Sequence, residues 1–100
     1  MDKANVHAGI CEELTNTYIA KNHDYGDSFA KVRKEFPNSV LIRIADKFER
    51  LKQLMCGVKP EVDESVEDTL KDLANYCIME CIERKIDKEE GMNHEDSCAC

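Results

Sequence analysis

No tryptophan occurs in this chain, and only two prolines and four glycines punctuate its 100 residues. With so few breakers and no alternating apolar–polar run, there is little from which to build β-hairpins, and strands are not expected. Long apolar runs are missing too: nothing approaches the roughly 18 residues that cross a bilayer. The opening MDKANVHAGI lacks the charged-then-apolar order of an export signal, so the expected location is cytoplasmic. Positive charge is in deficit, with 14 Lys and Arg against 21 Asp and Glu for a net charge of −7. That argues against a broad basic surface for duplex nucleic acid. Small phosphorylated ligands stay open, because a bound divalent cation inverts the local charge.

What is present is apolar enough to fold, at 42% hydrophobic residues. A chain of this length buries a modest core on its own, so self-association into a homodimer or homotetramer is expected. The six cysteines are even in number, yet four lie in or at the end of helix-like segments and no export signal precedes them. They read as reduced thiols, with Cys77 and Cys81 packed as small hydrophobes in the core.

Apolar positions at three- and four-residue spacing predict a first helix from Asp2 to about Asn22, with Val6, Ile10, Leu14 and Tyr18 along one side. His7 beside that stripe reads as a packed or partly exposed side chain. A turn follows in KNHDYGDS, where Asp27 or Ser28 can cap the next helix. Lys21, His23, Asp24 and Tyr25 there combine a cation, an imidazole, a carboxylate and a ring. That set suits a phosphate or a stacked base as well as it suits an ordinary connector.

A short helix from Ser28 to about Phe36 is stopped by Pro37. Asn38 or Ser39 caps a third, whose apolar face of Val40, Leu41, Ile44, Phe48, Leu51 and Met55 is expected to face the core. Gly57 and Pro60 mark a break, and a long last helix, capped by Asp63 or Ser65, runs to about Glu90. Residues 1–90 thus read as one all-α domain, a bundle of four to five helices. Residues 91–100 read as a disordered polar tail, with His94, Cys98 and Cys100 too incomplete a set for structural zinc.

On the long helix Glu64, Asp68, Asp72 and Asn75 fall within roughly 80° of one another, opposite Val66, Leu70, Leu73 and Cys77. Asp46 and Glu49 offer a second acidic pair on the preceding helix. Carboxylates on facing helices can hold metal inside a bundle, and an all-oxygen donor set favours Mg²⁺ or Mn²⁺. Such ions bind substrate phosphates, and a metal-bound water attacking phosphorus gives a phosphoanhydride hydrolase. The same stripes equally suit solvated helix faces.

The blocks KNHDYGDSF, IRIADKFERLKQL and DESVEDTLKDLANY resemble the nucleotide modification associated domain 1 family of bacteriophages and bacteria. That family is similar in turn to the MazG-like all-α nucleoside triphosphate pyrophosphohydrolases. The resemblance implies a helical oligomer that binds Mg²⁺ between acidic helices and cleaves a nucleoside triphosphate to the monophosphate and pyrophosphate. Carried over by position, Asp46 and Glu49 match the first acidic pair and Asp68 and Asp72 the second. Thr69 stands where those enzymes carry a glutamate.

The leading expectation is a Mg²⁺-dependent pyrophosphohydrolase. Asp46, Glu49, Asp68 and Asp72 would hold the metal, with Glu64 and Glu49 assisting catalysis. Lys21, Lys47 and Arg50 would meet phosphates, while His23, Asp24, Tyr25 and Asn75 contact the rest of the nucleotide. A non-catalytic protein that sequesters a signalling nucleotide, in the manner of a phage sponge for a host defence signal, is the alternative. A structural helical adaptor is the third.

Overall fold

The computed structural model describes residues 1–59 and 65–91, and among these it contains four helices and no strand. Helix α1 spans Lys3–Tyr25, α2 Ser28–Glu35, α3 Ser39–Met55 and α4 Val66–Glu89. Among the described residues no helix is long and apolar enough to cross a membrane. The expectations for Pro60, Asp63, Glu64 and the polar tail beyond Gly91 lie outside the described residues.

Local chemistry sets the boundaries. Asp2 starts α1 by accepting from the Ala4 amide at 3.0 Å. The helix continues to Tyr25, past the expected end at Asn22, because the stop is left-handed Gly26, whose N–H bonds to the Asn22 carbonyl. His23, Asp24 and Tyr25 are therefore helical. Asp27, also left-handed (φ 58°), and Asn38 occupy the cap positions of α2 and α3 as expected, but neither makes a side-chain cap bond. At α4 the cap is Ser65, in a reciprocal capping box. Its hydroxyl accepts from the Asp68 amide at 3.0 Å, and Asp68 accepts from the Ser65 amide at 3.1 Å.

Helices α3 and α4 pack antiparallel, with Arg43 opposite Tyr76 and Lys47 opposite Asp72. Helix α1 touches the other flank of α4 through Glu13–Lys71 and Leu14–Asn75. Among the described residues, Leu14, Phe29, Val40 and Leu51 alone are buried apolar side chains.

The inward face of α4 lies between the two expected stripes and shares Asp72 with the acidic one. It comprises Thr69, Asp72, Tyr76, Glu80 and Asp87, of which Thr69 is completely buried. That face lies roughly 80° around the axis from the centre of the expected apolar stripe. Leu70 and Cys77 are exposed as a result, and Cys81 with them, which corrects their assignment to the core. On α3, Leu41, Phe48 and Met55 are likewise exposed while Val40 and Leu51 are buried.

A buried ion network explains the roll of α4. Arg33 of α2 donates in a fork to both Glu80 oxygens (3.0 and 3.1 Å) and to Asp87 at 3.1 Å. Glu80 and Asp87 are seven residues, two turns, apart, so drawing both to one guanidinium fixes which side of α4 faces inward. Arg84 adds a 2.8 Å bond to Glu80 from the solvent side.

Candidate functional site

The first-turn residues of α2 and the last turns of α1 meet the middle of α3 and α4 around a cleft of about 210 Å³. Tyr18, Lys21, Asn22 and Tyr25 of α1 lie within roughly 100° of one another and form one wall. Phe29, Arg43, Asp72, Asn75 and Tyr76 form the other. Because α1 stays helical through Tyr25, Lys21 and Tyr25 are carried on a rigid element and not on a loop.

Aromatic rings and cations interleave here. Phe29 and Tyr76 stack with centroids 6.5 Å apart, and the Arg43 guanidinium lies over both, 5.7 Å from Phe29 and 5.2 Å from Tyr76. Asp72 receives Lys21 on one oxygen at 3.7 Å and Lys47 on the other at 3.3 Å. Two ammonium groups thus flank one carboxylate, and the Arg43 guanidinium lines the same cleft, a local positive excess on a protein of net charge −7. Asn75 donates its side-chain N–H to the Leu14 carbonyl at 3.1 Å. That bond fixes the amide and leaves its oxygen as an acceptor at the cleft.

Of the residues expected from sequence, Lys21, Tyr25, Asp72 and Asn75 come together at this cleft, and Lys47 joins them through Asp72. The others lie elsewhere. His23 and Asp24 pair with each other at 3.2 Å on the outside of α1, and Glu49 pairs with Lys52 at 2.9 Å on an exposed face. Asp46 borders a second groove beside Lys47, and Arg50 lines neither cavity. Asp68 is committed to the capping box; its backbone and side-chain bonds with Ser65 hold its carboxyl below the usual carboxylate range. Glu64 falls outside the described residues.

Within one chain, then, the expected metal ligands are dispersed. Among the described residues no three of His, Cys, Asp and Glu converge as a metal-binding group. Asp72, the one expected ligand in the cleft, is already neutralised by two ammonium groups, and Thr69 is buried at the helix contact.

Apart from Tyr25, the aromatic half of the cleft was not foreseen. Tyr18 reads from sequence as part of an apolar stripe, and Phe29 and Tyr76 were not singled out as binding residues. The usable signal was the spacing of Tyr18, Lys21 and Tyr25 at three and seven residues, which becomes visible only once α1 extends to Tyr25.

Compared with known proteins, residues 21–83 match the family model described as nucleotide modification associated domain 1. No curated protein and no solved structure gives a match. The matched segment contains every cleft residue named above except Tyr18.

Proposed function

Since the chain belongs to the nucleotide modification associated domain 1 family, we propose that it binds a nucleotide in the cleft between α1, α3 and α4. The observation that carries this is the pairing of Lys21 and Lys47 with Asp72, with Arg43 in the same cleft, beside the Tyr18, Tyr25 and Tyr76 rings. Lysines and an arginine meet phosphate oxygens, the rings offer stacking surface to a base, and the Asn75 oxygen accepts from a base or sugar donor. In this reading the protein holds its ligand, as a sequestering protein does.

Mg²⁺-dependent hydrolysis of a nucleoside triphosphate, in the manner of MazG-like enzymes, is the second reading. It needs the carboxylates that one chain leaves dispersed. The exposed Phe48 and Met55 on α3 and Leu70 and Cys77 on α4 favour it, because they support assembly of a homodimer or homotetramer. Acidic residues of two copies would meet there.

Asp72→Asn separates the two. If Asp72 only competes with phosphate for Lys21 and Lys47, the variant binds nucleoside triphosphates without metal several-fold more tightly, and the ligand is recovered intact. If Asp72 carries metal, Mg²⁺-stimulated pyrophosphate release by the native protein is lost in the variant. Calorimetry and a pyrophosphate assay over a panel of ribo- and deoxyribonucleotides, with and without Mg²⁺, read both. Native protein that binds neither metal nor nucleotide would leave the adaptor.

A further inference from the structure

Ligand pockets generally run from about 300 to 1,000 Å³, and the cleft of about 210 Å³ is too small to enclose a whole nucleotide. A nucleotide seated there would extend beyond it. Arg43 and Tyr76 form a wall shared with a second groove of about 960 Å³, which opens between α2, α3 and the α2–α3 turn. Lys47 lines that groove, while Lys21 lines the first cleft, and both ammonium groups lie within 3.7 Å of the same Asp72 carboxylate. Cations therefore stand on both sides of one wall, close enough for a single polyphosphate chain to cross it.

Besides Lys47 and the carboxylates Glu35 and Asp46, the second groove presents an apolar surface of Val32, Phe36, Leu41 and Ile42. Ile42 is 71% exposed and Phe36 58%. A terminal phosphate has no use for such a surface, whereas a second ring system does.

Resting on the nucleotide-binding reading, we infer that the ligand is two-headed: a dinucleoside polyphosphate, with one nucleoside in the cleft of Tyr18, Tyr25 and Asn75. Its phosphates cross Arg43 between Lys21 and Lys47, and its second base lies on Phe36 and Ile42.

The test is calorimetry on the full chain without metal, using ATP and GTP beside diadenosine and diguanosine tetraphosphate. The two-headed ligand is expected to bind at least tenfold more tightly than the mononucleotide of the same base. In Ile42→Asp that ratio falls to about one. A ratio of one in the native protein, with mononucleotide bound, overturns this inference and leaves the nucleotide reading standing; absence of binding by either kind overturns both. A tenfold ratio that survives in Ile42→Asp overturns it as well. So does a change of oligomer mass in that variant by light scattering, which would mark the groove as a contact between copies of this chain.

Discussion

Replacing Arg33 with alanine is expected to remove about 3–5 kcal/mol of folding stability, the usual cost of breaking a buried ion pair from one side. The side chains of Arg33, Glu80 and Asp87 are only 12%, 12% and 13% exposed, so the carboxylates left behind lose a shared counter-charge while held largely out of water, Glu80 keeping its bond to Arg84. In a domain of this size the loss lowers the melting temperature by more than about 10 °C. Thermal unfolding followed by circular dichroism checks it, and a drop below about 3 °C would mean that packing alone positions α2.

The same substitution changes the response to acid. Burial pushes the Glu80 carboxyl up, but the hydrogen bonds from Arg33 and Arg84 and their charges outweigh it, leaving it below the ordinary range. Its contribution is therefore fully present above the ordinary glutamate value and is lost as pH falls through its depressed folded value. Glu83 pulls the other way: burial, then the nearby Asp27 charge, raise its carboxyl, so its contribution is present below the ordinary value and lost as pH rises through the folded one. Without Arg33 the main support of ionised Glu80 is gone. The stability gap between native and Arg33→Ala should accordingly widen from about pH 4 to pH 7.

The double substitution Lys21→Ala with Lys47→Ala is expected to lower nucleotide affinity at least 100-fold. Each charge-assisted hydrogen bond to phosphate contributes about 1.5–3 kcal/mol, and tenfold in affinity is about 1.4 kcal/mol. The variant also leaves Asp72 unneutralised beside the phosphates. The Lys21 side chain is 60% exposed and its pair contributes about 0–1 kcal/mol, whereas Lys47 is 23% exposed, so circular dichroism of the variant accompanies the titration to show that it is folded. Titration at two salt concentrations reads the result. Affinity within threefold of native at low salt would place the phosphates elsewhere.

The sequence carries the helical periodicity and the strong local stops, and both survive in the fold: Gly26, Pro37, Gly57 and the Ser65 capping box all mark ends. It does not carry the roll of α4. That roll follows from Arg33, 47 residues from Glu80 in the chain, and a wheel drawn from α4 alone has no access to so distant a partner. Asp68 illustrates the same limit at the site. Its place on an acidic stripe suggests a ligand, whereas its place three residues after Ser65 makes it a cap, and the local bonds are what the structure realises. Lys21, Tyr25, Asp72 and Asn75 were legible because their side chains happen to converge under either assignment of the helix faces.

The small inventory of buried apolar side chains, Leu14, Phe29, Val40 and Leu51, has a calorimetric consequence. Heat capacity rises on unfolding in proportion to the apolar surface newly wetted, about 1.2–1.5 kcal/mol/K for an ordinary domain of this length. A lone copy, already wet over Phe48, Met55 and Leu70, should fall well short of that figure and show a shallow stability curve. If copies associate over those residues, the missing increment returns with concentration and the melting temperature climbs as the protein is made less dilute. Scanning calorimetry at two concentrations a hundredfold apart would show both changes together or neither.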